Sequence, residues 1–192
     1  MSEDVLDDEF MDAVESLSRE ESRGVLYALL FVGDSPVSAP RLAEALGDMD
    51  TDIVVTLLGE LQEELNGRAG IPYMLREIAG GYQLVTKPEF APYIRRFFRI
   101  KKSNRLSKAL LETLAVIAYK QPVTRAEVEA VRGVSVSYAF DQLQEKRLIK
   151  ISGIADLPGR PKLYKTTDEF LVTFGLKSLK ELPALDELRT ME

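Results

Sequence analysis

Two stretches of this chain repeat one another, which restricts the fold to a small unit used twice. Leu29-Leu30-Phe31-Val32-Gly33-Asp34-Ser35-Pro36-Val37-Ser38 returns in outline as Leu114-Ala115-Val116-Ile117-Ala118-Tyr119-Lys120-Gln121-Pro122-Val123-Thr124. Each is an apolar helical run stopped by a turn, and each leads into a short helix ending at glycine, Arg41 to Gly47 and Arg125 to Gly133. Farther on, Thr86-Lys87-Pro88-Glu89-Phe90 is echoed by Thr166-Thr167-Asp168-Glu169-Phe170. Pro122 follows Pro36 by 86 residues and Thr166 follows Thr86 by 80, so the second copy is slightly shorter. A chain built from two such helical units points to a docking or nucleic-acid module before it points to an active site.

The remaining composition narrows the chemistry. A length of 192 residues allows two domains of roughly 80 residues each, near the lower limit for a self-sufficient core. The longest apolar run, Val25 to Val32, is far short of the ~20 residues that span a bilayer. The acidic first residues fit neither a secretory signal nor a cationic transit peptide, and with no cysteine the expected setting is a reducing cytoplasm. Histidine is absent too. That removes Ser-His and Cys-His nucleophile pairs and both thiolate and imidazole zinc sites. No P-loop signature occurs, and Gly80-Gly81 lacks the spacing of a phosphate cradle. The expectation is a protein without enzymatic activity, metal or cofactor.

The order of elements follows from the period of the apolar residues. In the first unit, Val25, Leu26, Leu29, Leu30 and Val32 give a helical face, Ser38 to Leu46 a second helix, and Asp50 or Thr51 opens a third carrying Val54, Val55, Leu58, Leu61 and Leu65. Pro72 to Ile78 and Tyr82 to Thr86 read as strands meeting at Gly80-Gly81, and Pro88 to Ile100 as a fourth helix. In the second unit the stripe Leu106, Leu110, Leu114 and Ile117 is followed by helices over Thr124 to Val131 and Ser135 to Arg147. Strands over Leu148 to Ile154 and Lys162 to Thr166 then meet through Leu157-Pro158-Gly159-Arg160-Pro161. Helix–helix–helix–hairpin is the order of a winged helix. The expected fold is therefore mainly α with small β-hairpins (α+β), as two tandem winged-helix domains. The expected boundaries are an acidic mobile arm over 1–21, a first winged helix over 22–102, a second over 103–176 and a tail over 177–192.

The residues that carry the second unit are those of a known family. Leu111-Glu112-Thr113-Leu114-Ala115-Val116-Ile117-Ala118-Tyr119-Lys120-Gln121-Pro122-Val123-Thr124-Arg125 resembles the signature of the bacterial segregation and condensation protein B family. So do Arg132-Gly133-Val134, Pro158-Gly159-Arg160-Pro161-Lys162-Leu163-Tyr164-Lys165-Thr166-Thr167, Phe170-Leu171 and Phe174-Gly175-Leu176, in that order. The likeness runs from about Val25 to Pro183. It implies a non-enzymatic subunit of the bacterial condensin-like complex, acting in chromosome condensation and segregation. The family is dimeric through its first winged helices and binds the kleisin subunit, segregation and condensation protein A, largely through the second. The SMC ATPase is then reached through the kleisin. After Arg132-Gly133-Val134 the chain departs from the family's usual Asn/Asp-Ser-Asp and continues Ser135-Val136-Ser137-Tyr138.

Arg160, at the expected wing tip, is the candidate for a charge-assisted hydrogen bond to the kleisin, and Tyr164 for an aromatic anchor. Arg132 and Tyr138 complete the candidate partner-binding set. The rival reading is a winged-helix DNA-binding transcriptional regulator, which needs cations on the third helix. The first unit's third helix instead carries Asp52, Glu60, Glu63 and Glu64, and the second places Asp141 near its start and Lys146 and Arg147 only at its end. The one dense basic run lies between the units: Arg95, Arg96, Arg99, Lys101, Lys102, Arg105 and Lys108, with no acid among them. Its cations are the candidate contacts for weak, salt-sensitive DNA binding, with Phe97 and Phe98 either as core residues or as stacking groups.

Overall fold

The computed structural model of the chain describes residues 17–99 and 106–184. The chain divides into two compact units, with the boundary between residues 99 and 100. Each has its own core, and each follows the helix–helix–helix–hairpin order read from the repeat.

The first unit opens with helix α1, Arg19–Val32. It begins three residues before Ser22, so Arg19–Glu21 are helical and do not belong to an arm; the arm's first 16 residues lie outside the described residues. The cause is a capping box at Ser18-Arg19-Glu20-Glu21. The Ser18 hydroxyl accepts from the Glu21 backbone N–H, and the Glu21 carboxylate accepts from the Ser18 N–H at 2.8 Å. Helix α2 spans Ala39–Ala45 and α3 spans Thr51–Gly67, where the Asp50 carboxylate accepts from the Asp52 N–H at 2.8 Å. The antiparallel strands β1, Tyr73–Ile78, and β2, Gly81–Thr86, form the hairpin. Ile78 lies opposite Gly81, so the turn is Ala79-Gly80, one residue earlier than expected. Both turn residues have positive φ, 51° and 73°, as the tight turn of a right-twisted hairpin requires. Val37 and Tyr82 exchange two backbone hydrogen bonds, of 2.9 and 2.8 Å, so the loop before α2 adds a third edge to the hairpin. A 3₁₀ turn, Pro88–Phe90, precedes α4, Ala91–Phe97, which buries no side chain.

The second unit starts at α5, Lys108–Lys120, whose first turn is capped by the Ser107 hydroxyl. Val123–Thr124 form a short strand β3, so Thr124 is a strand residue and not the first residue of the helix expected over Thr124 to Val131. Helix α6 spans Arg125–Arg132 and ends at Gly133, whose φ of 68° is the left-handed stop expected there. Helix α7 spans Ser137–Glu145, β4 Ile149–Ile154, β5 Lys162–Thr166 and α8 Asp168–Phe174. The sheet order is β3-β5-β4, antiparallel throughout, with Val123 opposite Tyr164 as Val37 is opposite Tyr82 in the first unit. The wing turn closes with Arg160 N–H donating to Leu157 C=O at 2.8 Å, and Gly159 takes φ 82°. Phe140, Ile117, Leu114, Leu143 and Val128 are buried at the centre of the core. This unit also continues past residue 176. Leu176 and Leu182 pack on its core, Leu179–Glu181 form a 3₁₀ turn, and the Tyr119 hydroxyl donates to Pro183 C=O at 2.7 Å. The first residues assigned to a tail thus belong to the second unit, while 185–192 lie outside the described residues.

Candidate functional site

With the register fixed, the expected partner-binding residues separate. Tyr164 is not a surface anchor: it points into the core, 5% exposed, with its ring edge-on to Phe140 at 4.8 Å. Alternate residues of a strand face opposite sides, and β5 turns Tyr164 inward between Leu163 and Lys165. Arg132 is also engaged within the unit. Its guanidinium lies 2.5 Å from the Glu112 carboxylate with the side chain only 18% exposed, so it ties α6 to α5. The other two candidates do face solvent. Tyr138, in the first turn of α7, is 74% exposed, and Arg160 sits at the wing tip. Arg160 has a positive φ, 44°, forced by the turn that follows Pro158-Gly159.

Other surfaces around these residues were not read from the sequence. On the wing, Ile151, Ile154 and Leu157 are exposed, giving an apolar strip that leads to Arg160. Between α5, α8 and the segment ending at Pro183 lies an apolar cavity of about 370 Å³, bordered by Leu111, Ala115, Tyr119, Phe174 and Leu182 among others. The stripe Leu110, Leu114 and Ile117 is core as expected; the cavity uses the neighbouring face of the same helix. That second face, Leu111-Ala115-Ala118, repeats at helical spacing and was the available signal.

In the first unit, Phe31 and Val32 at the end of α1 are 78% and 75% exposed. Phe31 walls a cavity of about 330 Å³ together with Tyr27, Tyr73, Leu84 and Val85, whereas Val32 borders a separate one with Leu29, Val37 and Arg41. Tyr27 and Tyr73 meet edge to face at 6.2 Å; burial, reinforced by its hydrogen bond with Tyr73, pushes the Tyr27 phenol well above its ordinary range. Two of the third helix's carboxylates are compensated within the unit. Glu60 pairs with Arg19, and Glu64 lies 2.5 Å from Arg23, so those carboxylates brace α3 against α1.

Of the candidate DNA contacts, Arg95 and Arg96 lie in the last turn of α4 and Arg99 follows it with φ 50°, all exposed. Lys101, Lys102 and Arg105 fall outside the described residues. Phe97 and Phe98 are not core: they are 81% and 66% exposed, with rings 5.1 Å apart and nearly perpendicular. Among the described residues no helix is long and apolar enough to cross a membrane.

Comparison with known proteins gives these surfaces a context. The family described as "Segregation and condensation complex subunit ScpB" matches residues 24–185. Segregation and condensation protein B of Syntrophotalea carbinolica is 48% identical over 167 residues, 87% of this chain and 83% of that protein. The crystal structure of ScpB from Mycobacterium tuberculosis is 38% identical, over 84% of this chain and 99% of that one, with a TM-score of 0.41. A dimer of a ScpB N-terminal domain complexed with a ScpA peptide is 29% identical, over 41% of this chain and 95% of that one, with a TM-score of 0.38.

Proposed function

Because the chain belongs to the segregation and condensation protein B family, we propose that it is a non-enzymatic adaptor of the SMC–kleisin complex, working as a homodimer that holds the kleisin. In this reading it acts in the cytoplasm at the nucleoid and reaches the SMC ATPase only through the kleisin. The observation that carries the proposal is the family match over residues 24–185, which takes in both units and so concerns the whole repeated architecture.

Two surfaces suit the two tasks. Exposed Phe31 at the Tyr27–Tyr73 cavity, with exposed Val32 next to it in the chain, gives the first unit apolar surface, and units this small gain stability by burying such surface against a copy of themselves. The second unit offers the α5–α8 cavity and the wing strip ending at Arg160, which together supply apolar anchor sites and one cation for a kleisin segment. A dimer then presents two such surfaces to one flexible partner, raising affinity through effective concentration. Specific DNA reading has less support, because α3 is acidic and its Glu60 and Glu64 already pair with arginines of the same unit.

The test is calorimetric titration of the kleisin into Leu111→Asp and Arg160→Glu variants. Leu111 is 41% exposed at the cavity mouth, so both changes should leave the fold intact. Roughly ten-fold or greater weakening by Leu111→Asp is expected, as for loss of an interface anchor. In the similar N-terminal-domain structure the ScpA peptide is complexed with the dimer itself, so fragments 17–99 and 106–184 are titrated separately. Unchanged affinity in both variants, with binding confined to 17–99, would move the docking surface to the first unit.

A further inference from the structure

The first unit's own packing does not explain the composition of helix α4. It buries no side chain, yet it carries Tyr93 and Phe97, with Phe98 at its cap, respectively 73%, 81% and 66% exposed. Arg95, Arg96 and Arg99 stand among these rings. Among the described residues none of the three arginines is in an ion pair. Cations in a last turn suit the helix dipole and alone would need no ligand. Three exposed aromatic rings have no such local explanation. The Phe97–Phe98 edge-to-face pair leaves ring faces turned to solvent instead of closing on the core.

We propose that the end of the first unit, Tyr93 to Arg99, is a binding site for single-stranded nucleic acid. The ligand must be polyanionic to answer three exposed guanidinium groups, and it must present flat π faces to answer the rings. An unpaired strand does both: its phosphates meet the arginines and its bases stack on Phe97, Phe98 and Tyr93. In a duplex the bases are already stacked on one another, so the rings find no partner and only the charge contributes. The site is independent of kleisin docking, since it uses none of the residues assigned to that surface.

The experiment is fluorescence anisotropy on the full chain with a labelled oligothymidylate and, in parallel, a labelled duplex of mixed sequence, across a salt series. The wild type should bind the single strand more tightly than the duplex. Phe97→Ala combined with Phe98→Ala should weaken single-strand binding roughly ten-fold or more, by loss of stacking, and leave duplex binding unchanged. Arg95→Gln combined with Arg96→Gln should reduce the slope of log affinity against log salt by about 1.4 for the single strand. It removes only solvent-facing charge, so it carries the test even if the double alanine variant misfolds. Equal single-strand affinity in the variants and the wild type would overturn the proposal. So would a ring-variant defect confined to phosphatidylserine-containing vesicles, or one confined to self-association measured by light scattering.

Discussion

Ala79 shows how local chemistry is overruled by the hairpin around it. An alanine at φ 51° sits in the left-handed region that costs side chains roughly 1 kcal/mol or more, held there because Ile78 must face Gly81. Ala79→Asn should therefore raise first-unit stability by about 0.5–1 kcal/mol, read as a higher melting temperature. A second prediction concerns the Thr124 capping box. The Glu127 carboxyl is held below its ordinary value of 4.5, first by the backbone N–H of Thr124 and then by its hydroxyl. A depressed carboxylate contributes stability that is present above its unfolded value and lost as pH falls through the folded one. Acid unfolding of the second unit should accordingly lose part of its pH dependence below 4.5 in Glu127→Gln, while Thr124→Ala costs about 1 kcal/mol at neutral pH. At this scale the sequence was only partly legible. Ser18-Arg19-Glu20-Glu21 spells a capping box, but the surrounding acid run masked it. The inward face of Tyr164 and the Arg132–Glu112 pair depend on register and on contacts 20 residues apart, which no local pattern encodes.

Among the elements, the repeat made the helices and hairpins readable, because a change in apolar period from three or four to two marks where each begins. The third edge of each sheet was not readable. Val37 and Val123–Thr124 follow Pro-containing turns and are too short to show a period; they pair only because Tyr82 and Tyr164 lie opposite. Gly81 makes this pairing testable. A β-carbon there would stand 2.9 Å from the Val37 carbonyl carbon and 3.0 Å from that of Pro36, both backbone atoms that cannot move aside cheaply. Gly81→Ala should cost on the order of 1–3 kcal/mol and loosen the loop before α2, seen as faster amide exchange at Val37 and Tyr82. The surface elements were harder to read. A strand such as β4, with Ile151 and Ile154 exposed on a wing, and a helix such as α4, with Phe97 and Phe98 in water, look like core in sequence because apolar residues there serve no fold-internal contact.

For the whole molecule, the separation of the two cores, one drawn from residues between Leu26 and Leu75 and the other from residues between Leu110 and Phe170, implies that each unit folds without the other. Fragments 17–99 and 106–184 should each show cooperative thermal unfolding by circular dichroism. The sequence signature carried the family resemblance, while which surfaces face the partners emerged only once burial was known. The adaptor reading stands or falls on assembly. Multi-angle light scattering of the full chain, alone and then mixed with the kleisin, tests it most directly. The expected result is twice the 21.5 kDa of one chain, moving to a heavier single species once the kleisin is added. A 21.5 kDa monomer whose mass the kleisin leaves unchanged would contradict it.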